Sequence, residues 1–194
     1  MKYINDKNLF ELCQINKIPI IREKTAQLIF DFIINKKYQS ILEIGTAYGF
    51  STLIWNQIDS IKLIVSVEKN FENYIVASKF LTNKKKITLI NDDAFNYLPN
   101  KNFDLIFIDG PKSHQDKLVE KYINYLNDNG IIVIDNLFLK KYANVQFEKL
   151  TKNQKKLLIK VNNFRNWLQN NKINFNFTLY DIDDGVGIIS KYDK

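Results

Sequence analysis

Short apolar runs alternate with segments of helical periodicity along most of the chain, and this alternation restricts the fold more than any other feature. Runs bounded by turn residues predict strands at Ser40–Gly45, Lys62–Glu68, Ile87–Ile90, Phe103–Asp109 and Gly130–Asp135. Two further runs, Phe175–Asp181 and Gly185–Ser190, flank the turn signal "DDG" and predict a closing hairpin. Such alternation indicates an α/β fold, with a mostly parallel sheet, helices on both faces and an antiparallel pair at the end.

Helical periodicity fills the gaps between the predicted strands. The predicted helices are Glu23–Lys36, Ser51–Ile58, Glu72–Thr82, Ala94–Leu98, His114–Asn127 and Lys152–Asn170. The last of these begins with the pattern of a capping box, Thr151 followed by Gln154. Neither a repeat nor a linker divides the chain, so a single domain over residues 1–194 is expected.

Composition and charge limit the class of protein. Hydrophobic residues make up 45% of the 194 residues, which is typical of a globular chain. The sequence has no apolar run long enough for a membrane span and no apolar segment at its start, and its one cysteine is Cys13, so a cytoplasmic protein is expected. The segment Lys140–Arg165 holds eight cations against Glu148 alone and carries the whole net charge of +7. It is either a surface for phosphate contact or a solvated lysine-rich helix.

The first three predicted strands end in residues that suit a nucleotide-like cofactor. The first strand runs into "LEIGTAYGFST", where Gly45 allows a tight turn and Glu43 places a carboxylate that needs a partner inside an apolar strand. Glu68 ends the second strand, about twenty residues after the glycine turn, and this spacing suits an acid that binds ribose hydroxyls. Of Asp92 and Asp93, after the third strand, one would lie beside an adenine or cap a helix. Each position also has a plain alternative, an ordinary turn or a surface acid.

Two carboxylates and an amide end the fourth and fifth strands. If these strands are sheet neighbours, Asp109 and Asp135-Asn136 lie about 5 Å apart, and the repulsion between bare carboxylates should raise one pKa. This oxygen set suits Mg²⁺, and Lys112 follows as a candidate base. Separate caps and a surface lysine are the alternatives. His114 is expected on the polar surface or the substrate side, since no second His or Cys completes a zinc set.

These motifs resemble the cation-dependent O-methyltransferases, the family that includes catechol O-methyltransferase. The likeness extends from about Pro19 to the C-terminus and depends on "LEIGTAYGFST", "FIDGPK" and "VIDN", in the family's order. The resemblance implies a Rossmann-like methyltransferase fold with a seven-stranded sheet, with S-adenosylmethionine and Mg²⁺ as cofactors. In two respects the chain differs: "DGPKSHQ" replaces the family's small-residue turn and nearby aromatic, and the N-terminal extension is short.

The resemblance also implies which residues surround the cofactor. Glu68 would hold the ribose hydroxyls, and Asp93 with Ala94 would flank the adenine. The full set lies in the glycine loop, at the strand ends and just before the first family helix: Ile21, Glu43, Gly45, Thr46, Tyr48, Ser51, Glu68, Asp93, Ala94 and Asp109.

At the metal, the resemblance gives Asp109, Asp135 and Asn136 as ligands and Lys112 as the catalytic base. Within the family the greatest likeness is to bacterial tRNA methyltransferases that convert wobble 5-hydroxyuridine to 5-methoxyuridine. The stretches "IPIIREKTAQ", "KKLLIKVNNFRNWL" and "DDGVGIISK" suggest it, and Lys140–Arg165 would then contact the tRNA anticodon region.

Three other functions are compatible with parts of the sequence. A methyltransferase of a small catechol-like metabolite would use the same metal site. An oxidoreductase that uses NAD would share Glu68 but requires GxGxxG. A non-catalytic RNA-binding module would need the basic segment but not the converging acids. The metal used in the cell and the oligomeric state stay open, a homodimer included.

Overall fold

The computed structural model describes residues 6–110, 112–142 and 145–192, and the side chain of Lys141 lies outside the described part. The helices are α1 (Lys7–Ile15), α2 (Glu23–Lys36), α3 (Phe50–Asn56), α4 (Phe71–Leu81), α5 (Gln115–Tyr122) and α6 (Lys152–Asn170). The strands are β1 (Ser40–Ile44), β2 (Leu63–Glu68), β3 (Ile87–Asn91), β4 (Phe103–Ile108), β5 (Leu126–Ile134), β6 (Asn176–Tyr180) and β7 (Val186–Ser190). Short 3₁₀ turns occur at Ile123–Tyr125, Lys140–Tyr142 and Phe147–Lys149.

The strands form one seven-stranded sheet in the order β3-β2-β1-β4-β5-β7-β6. Strands β1 to β5 are parallel, and β7 is antiparallel to both β5 and β6. The predicted sheet and its closing hairpin are confirmed. The chain leaves β1 towards β2 on one side and reaches β4 on the other, so a crevice is expected where the carboxyl ends of β1 and β4 meet.

Side chains on successive strand positions point to opposite faces and build two cores. On β1, Ile41 packs into the core under α1 to α3, with Ile29 and Trp55, whereas Leu42 packs into the other core. Phe164 and Leu168 of α6 bury the apolar face of that helix in the second core. The central strands β1, β2, β4 and β5 are therefore largely apolar where both faces are covered, whereas β3 and β6 at the sheet edges are partly exposed.

Several predicted boundaries need correction. The segment Ala94–Leu98 is a turn, not a helix, and α5 ends at Tyr122 because β5 begins at Leu126. The sequence analysis did not predict α1, whose N-cap is Asp6 and whose Leu9 is fully buried. Helix α6 has the predicted bounds and the predicted capping box.

Among the described residues, the helices include none long and apolar enough to cross a membrane.

Candidate active site

A cavity of about 1090 Å³ opens at the carboxyl ends of the central strands. Glu68 at the end of β2, Asp109 after β4 and Asp135 after β5 all line it. The sheet register brings these ends together, because Ile44 of β1 pairs with Ile108 of β4, which pairs in turn with Ile134 of β5. The polar strand ends thus surround one site, at the switch point that the strand order indicates.

Asp109, Asp135 and Asn136 meet at one end of this cavity, with Lys112 beside them. The Lys112 Nζ lies 3.5 Å from Asp109 Oδ1 and 3.3 Å from the Asp135 backbone oxygen. Asn136 adopts a left-handed φ of 66°, and its backbone amide donates to Asp135 Oδ1 at 2.7 Å. The structure therefore brings together all four residues of the predicted metal and base site.

Burial disturbs both carboxylates, and the charge of Asp109 acts on Asp135 as well. Burial raises the pKa of Asp109, against the opposing effect of Lys112. Burial, with the neighbouring charge of Asp109, raises the pKa of Asp135 to about 6. The predicted pKa rise is confirmed, and it means that one lysine does not offset two acids in this setting.

The donor set fits a hard divalent cation held in an open site. Two carboxylates and an amide oxygen are the ligands that Mg²⁺ takes in proteins, and a bound cation would relieve the repulsion between the acids. The described residues contain no group of three or more His, Cys, Asp or Glu side chains able to hold a metal. The protein would therefore supply only part of the coordination shell and leave positions for acceptor oxygens.

The glycine loop after β1 lies directly against Asp109. Gly45 has a φ of +100°, and a Cβ built there would lie 2.6 Å from the Asp109 backbone oxygen. Only glycine permits both this conformation and this approach. Glu68 fixes the same loop from the other side, since its carboxylate accepts from the Ala47 amide at 2.8 Å and the Asn70 amide at 2.7 Å.

Four of the predicted cofactor residues line a small recess beside the main cavity, namely Ile21, Thr46, Tyr48 and Ser51. Gly45 lines both the recess and the main cavity, so the two spaces are contiguous along the loop. A cofactor that passes along this loop would reach both.

Glu43 occupies a different environment from the other predicted cofactor residues. Its side chain is fully buried and accepts hydrogen bonds from Ser51 and Ser66, both at 2.6 Å, and from Thr52 and Trp55. It is not among the described residues that line either space. The Glu43 carboxylate is therefore bound by hydroxyl and indole donors, and its bond to Ser51 supports the segment that follows the glycine loop.

The turn after β3 forms the far end of the cavity. Asp93 and Ala94 both line it, as does Phe95, whose ring lies edge-on to the His114 ring at 6.4 Å. The Asp93 carboxylate accepts from the Phe95 amide at 3.0 Å and pairs with Lys69 at 2.7 Å. Its carboxylate therefore caps the local turn, while the turn itself faces the cavity.

Comparison with known proteins identifies the family. The sequence profile described as "O-methyltransferase" matches residues 13–192. The chain belongs to the O-methyltransferase family. The prediction of an S-adenosylmethionine-dependent O-methyltransferase is confirmed. The family match does not support the two alternatives, an oxidoreductase that uses NAD and a non-catalytic RNA-binding module.

The chain is also similar to individual methyltransferases, and below 25% identity this likeness concerns the fold alone. A Staphylococcus aureus protein assigned as a caffeoyl-CoA O-methyltransferase is 25% identical, with a TM-score of 0.85, over 96% of this chain and 93% of that chain. The SAH-bound methyltransferase PaMTH1 of Podospora anserina is 22% identical, with a TM-score of 0.80, over 97% and 89%. A Thermoplasma volcanium protein assigned as a decarboxylating cobalt-precorrin-6B C(15)-methyltransferase is 26% identical over 84% of this chain and 77% of its own.

The methyltransferase has one pair of cavity residues that the sequence analysis did not single out. Arg22, before α2, and Asp184, in the turn before β7, form an ion pair at 2.5 Å and both line the cavity. Next to them, Asp183 accepts from the Thr25 amide at 2.9 Å. Arg22 lies in "IPIIREKTAQ" and Asp184 in "DDGVGIISK", but neither stretch by itself indicates that the two residues pair.

Proposed function

We propose that this methyltransferase is Mg²⁺-dependent and methylates the 5-hydroxyl group of 5-hydroxyuridine at the wobble position of tRNA, with S-adenosylmethionine as methyl donor. One observation carries the proposal: Asp109, Asp135, Asn136 and Lys112 line the same cavity as Glu68. That arrangement suits an acceptor with two adjacent oxygens, such as O5 and O4 of 5-hydroxyuridine, held next to a cofactor ribose.

Each group of the chain has a defined task in this reaction. Asp109, Asp135 and Asn136 would hold the cation, which when bound would polarise the acceptor hydroxyl. Lys112 would take the hydroxyl proton. The acceptor oxygen then forms a bond to the methyl carbon while the bond from that carbon to sulfur breaks. The glycine loop would hold the donor in line, and such positioning supplies much of the rate enhancement.

The basic helix α6 supports a nucleic-acid substrate. Leu157 of this helix lines the cavity, and Lys160, one turn further on, donates to Ser113 Oγ at 2.7 Å. Ser113 itself lines the cavity next to Lys112. A cation of the predicted basic segment thus lies at the cavity mouth, where a phosphate next to the reacting base would be expected.

The direct test is methylation of tRNA that carries 5-hydroxyuridine. Nucleoside mass spectrometry should detect 5-methoxyuridine after incubation with S-adenosylmethionine and Mg²⁺, EDTA should abolish the product, and added Mg²⁺ should restore it. Full activity after exhaustive dialysis against EDTA would refute the metal dependence. Absence of product from active, cofactor-loaded enzyme would refute the tRNA substrate.

A charge reversal at the cavity mouth tests the role of α6. Lys160→Glu should weaken tRNA binding and lower the slope of log affinity against log salt by about one unit, because one phosphate contact is lost. It should leave methylation of a free catechol unchanged, since a catechol has no phosphate. Lys101→Glu is the matched control, because Lys101 lies before the amino end of β4, whereas the cavity lies at the carboxyl ends of the strands. Equal losses on both substrates would mean that Lys160 has a structural role.

A small catechol-like acceptor is the second candidate. The observation that favours it is the 25% identity to the Staphylococcus aureus protein assigned as a caffeoyl-CoA O-methyltransferase. The same metal end would serve this reaction. Competition between tRNA and a catechol in one assay would separate the two functions by their ratio of kcat/KM.

A further inference from the structure

Lys121 of α5 binds one turn of the chain through three backbone oxygens. Its Nζ lies 3.0 Å from the oxygen of Ala94, 2.9 Å from that of Phe95 and 2.6 Å from that of Tyr97. An ammonium group has three donors, so all of them are used. The buried hydroxyl of Tyr122 donates to the same Ala94 oxygen at 2.7 Å. We call this pair of side chains the Lys121–Tyr122 clamp.

The clamped turn carries part of the cavity wall. Ala94 and Phe95 line the cavity, next to Asp93. The amides of Phe95 and Tyr97 are already bonded, to the side chain and the backbone oxygen of Asp93. The Ala94 amide has no hydrogen-bond partner among the described residues. One donor is therefore left on a buried residue of the cavity wall, and the clamp fixes the peptide that follows it.

We infer that Lys121 is a positioning residue for the purine of the cofactor, acting through the 94–97 turn rather than by contact. The inference rests on the proposed use of S-adenosylmethionine. If the 94–97 turn is rigid, the Ala94 amide and the apolar side chains beside it are already in the geometry that binds the purine. Binding then does not have to order them, which favours affinity. Without the ammonium, three backbone oxygens lose their shared donor and the turn samples other conformations.

The clamp also connects the two ends of the site. Helix α5, which carries Lys121 and Tyr122, begins at Gln115, directly after His114. The His114 ring contacts Phe95 of the clamped turn, and Lys112 lies two residues before it. The helix that carries the clamp thus begins three residues after Lys112, the base that would take the acceptor proton.

Calorimetry with S-adenosylhomocysteine tests the inference on the whole protein. Lys121→Met should weaken binding about tenfold, as expected when a hydrogen-bonded charge that orders a binding turn is lost. Lys121→Arg should restore part of that affinity. Lys117→Met, one turn earlier on α5 and exposed, removes the same charge without touching the turn and should bind like wild type. Tyr122→Phe removes only the second donor of the clamp and should cause a smaller loss in the same direction.

A purine analogue separates positioning from general stability. S-inosylhomocysteine differs from S-adenosylhomocysteine in the purine alone, so the ratio of the two affinities reports how well the purine is recognised. Lys121→Met should bring this ratio closer to one, which a loss of stability alone does not do. An unchanged ratio and unchanged affinity in folded Lys121→Met would overturn the inference. If Lys121→Met fails to fold, the same ratio measured for Tyr122→Phe decides in the same way. Absence of S-adenosylhomocysteine binding by wild type would overturn the proposed cofactor as well.

Discussion

Replacing Asp135 by asparagine is expected to stabilise the metal-free enzyme and to remove a ligand of the proposed metal site. The Asp135 side chain is almost fully buried, and Asp109 lies at the end of the neighbouring strand. Burial and that second charge raise the pKa of Asp135 to about 6. An unfolded chain would show the ordinary aspartate value of about 3.9. Ionisation of Asp135 therefore lowers the free energy of unfolding, and an asparagine, which does not ionise, avoids this loss.

The pKa difference gives both the size and the pH window of the effect. About two pKa units correspond to about 3 kcal/mol of unfolding free energy at pH 7.5. Because the folded pKa lies above the unfolded one, the penalty is complete above about pH 6 and disappears below about pH 4. At pH 5 about half of it should be left. Asparagine also keeps the acceptor oxygen for the Asn136 amide.

Urea unfolding in EDTA at pH 7.5 and pH 5 measures this gain. Asp135→Asn should exceed wild type by about 3 kcal/mol at pH 7.5 and by about half as much at pH 5. Asp59→Asn, at an exposed position before β2, should show no gain at either pH. Added Mg²⁺ should stabilise wild type and leave Asp135→Asn unchanged, since binding to the native state alone raises stability.

Two results would refute this reasoning. If Asp135→Asn is less stable than wild type at pH 7.5, the carboxylate is held by favourable contacts and the two acids do not conflict. A gain that is the same at both pH values would mean that packing, not ionisation, is the cause. Either result would remove the physical basis for a cation between Asp109 and Asp135.

Three further predictions concern the loop and the sheet. Glu68→Gln should weaken S-adenosylhomocysteine binding about 10- to 100-fold, because the ribose hydroxyls lose a charged acceptor; unchanged affinity by calorimetry would exclude Glu68 from the cofactor site. Gly45→Ala should cost about 2–4 kcal/mol in urea unfolding, since its Cβ would meet the Asp109 oxygen; a wild-type curve would contradict this. For Asp104, burial raises the pKa, but hydrogen bonds, led by that from Asn127, outweigh it and hold the pKa below its ordinary value. Its stabilisation is thus present above about pH 4 and lost as pH falls through the folded pKa, so thermal melts of wild type and Asp104→Asn should converge in acid; a constant gap would refute this.

The strands and their polar ends could be predicted because their signals are local. An apolar run that stops at an acid is visible in the sequence, as at Asp109 and Asp135. The rule that parallel strands place their carboxyl ends on one edge then brings these acids together without further information. The same holds for α6, whose start is fixed by the adjacent Thr151 and Gln154.

The parts that sequence analysis missed depend on contacts between distant residues. The Ala94–Leu98 segment looked helical, but its carbonyl oxygens are bound by Lys121, twenty-seven residues beyond Ala94. Helix α1 is only nine residues long and depends on burial of Leu9 rather than on its own propensity. The Arg22–Asp184 pair joins the two ends of the chain, so no local pattern could place it in the cavity.

The glycine loop after β1 contacts the backbone of Asp109 at the proposed metal site, and we expect this contact to affect the kinetics. Gly45 approaches the Asp109 backbone oxygen so closely that a side chain there could not be accommodated without moving Asp109. The Glu68 carboxylate fixes Ala47 of the same loop. A change in the loop is therefore expected to displace Asp109, the proposed metal ligand, and a change at Asp109 is expected to displace the loop. Substitutions at Gly45 or Asp109 are expected to alter KM for the cofactor together with kcat, because in the proposed reaction the same contact would position the donor methyl group and the acceptor oxygen.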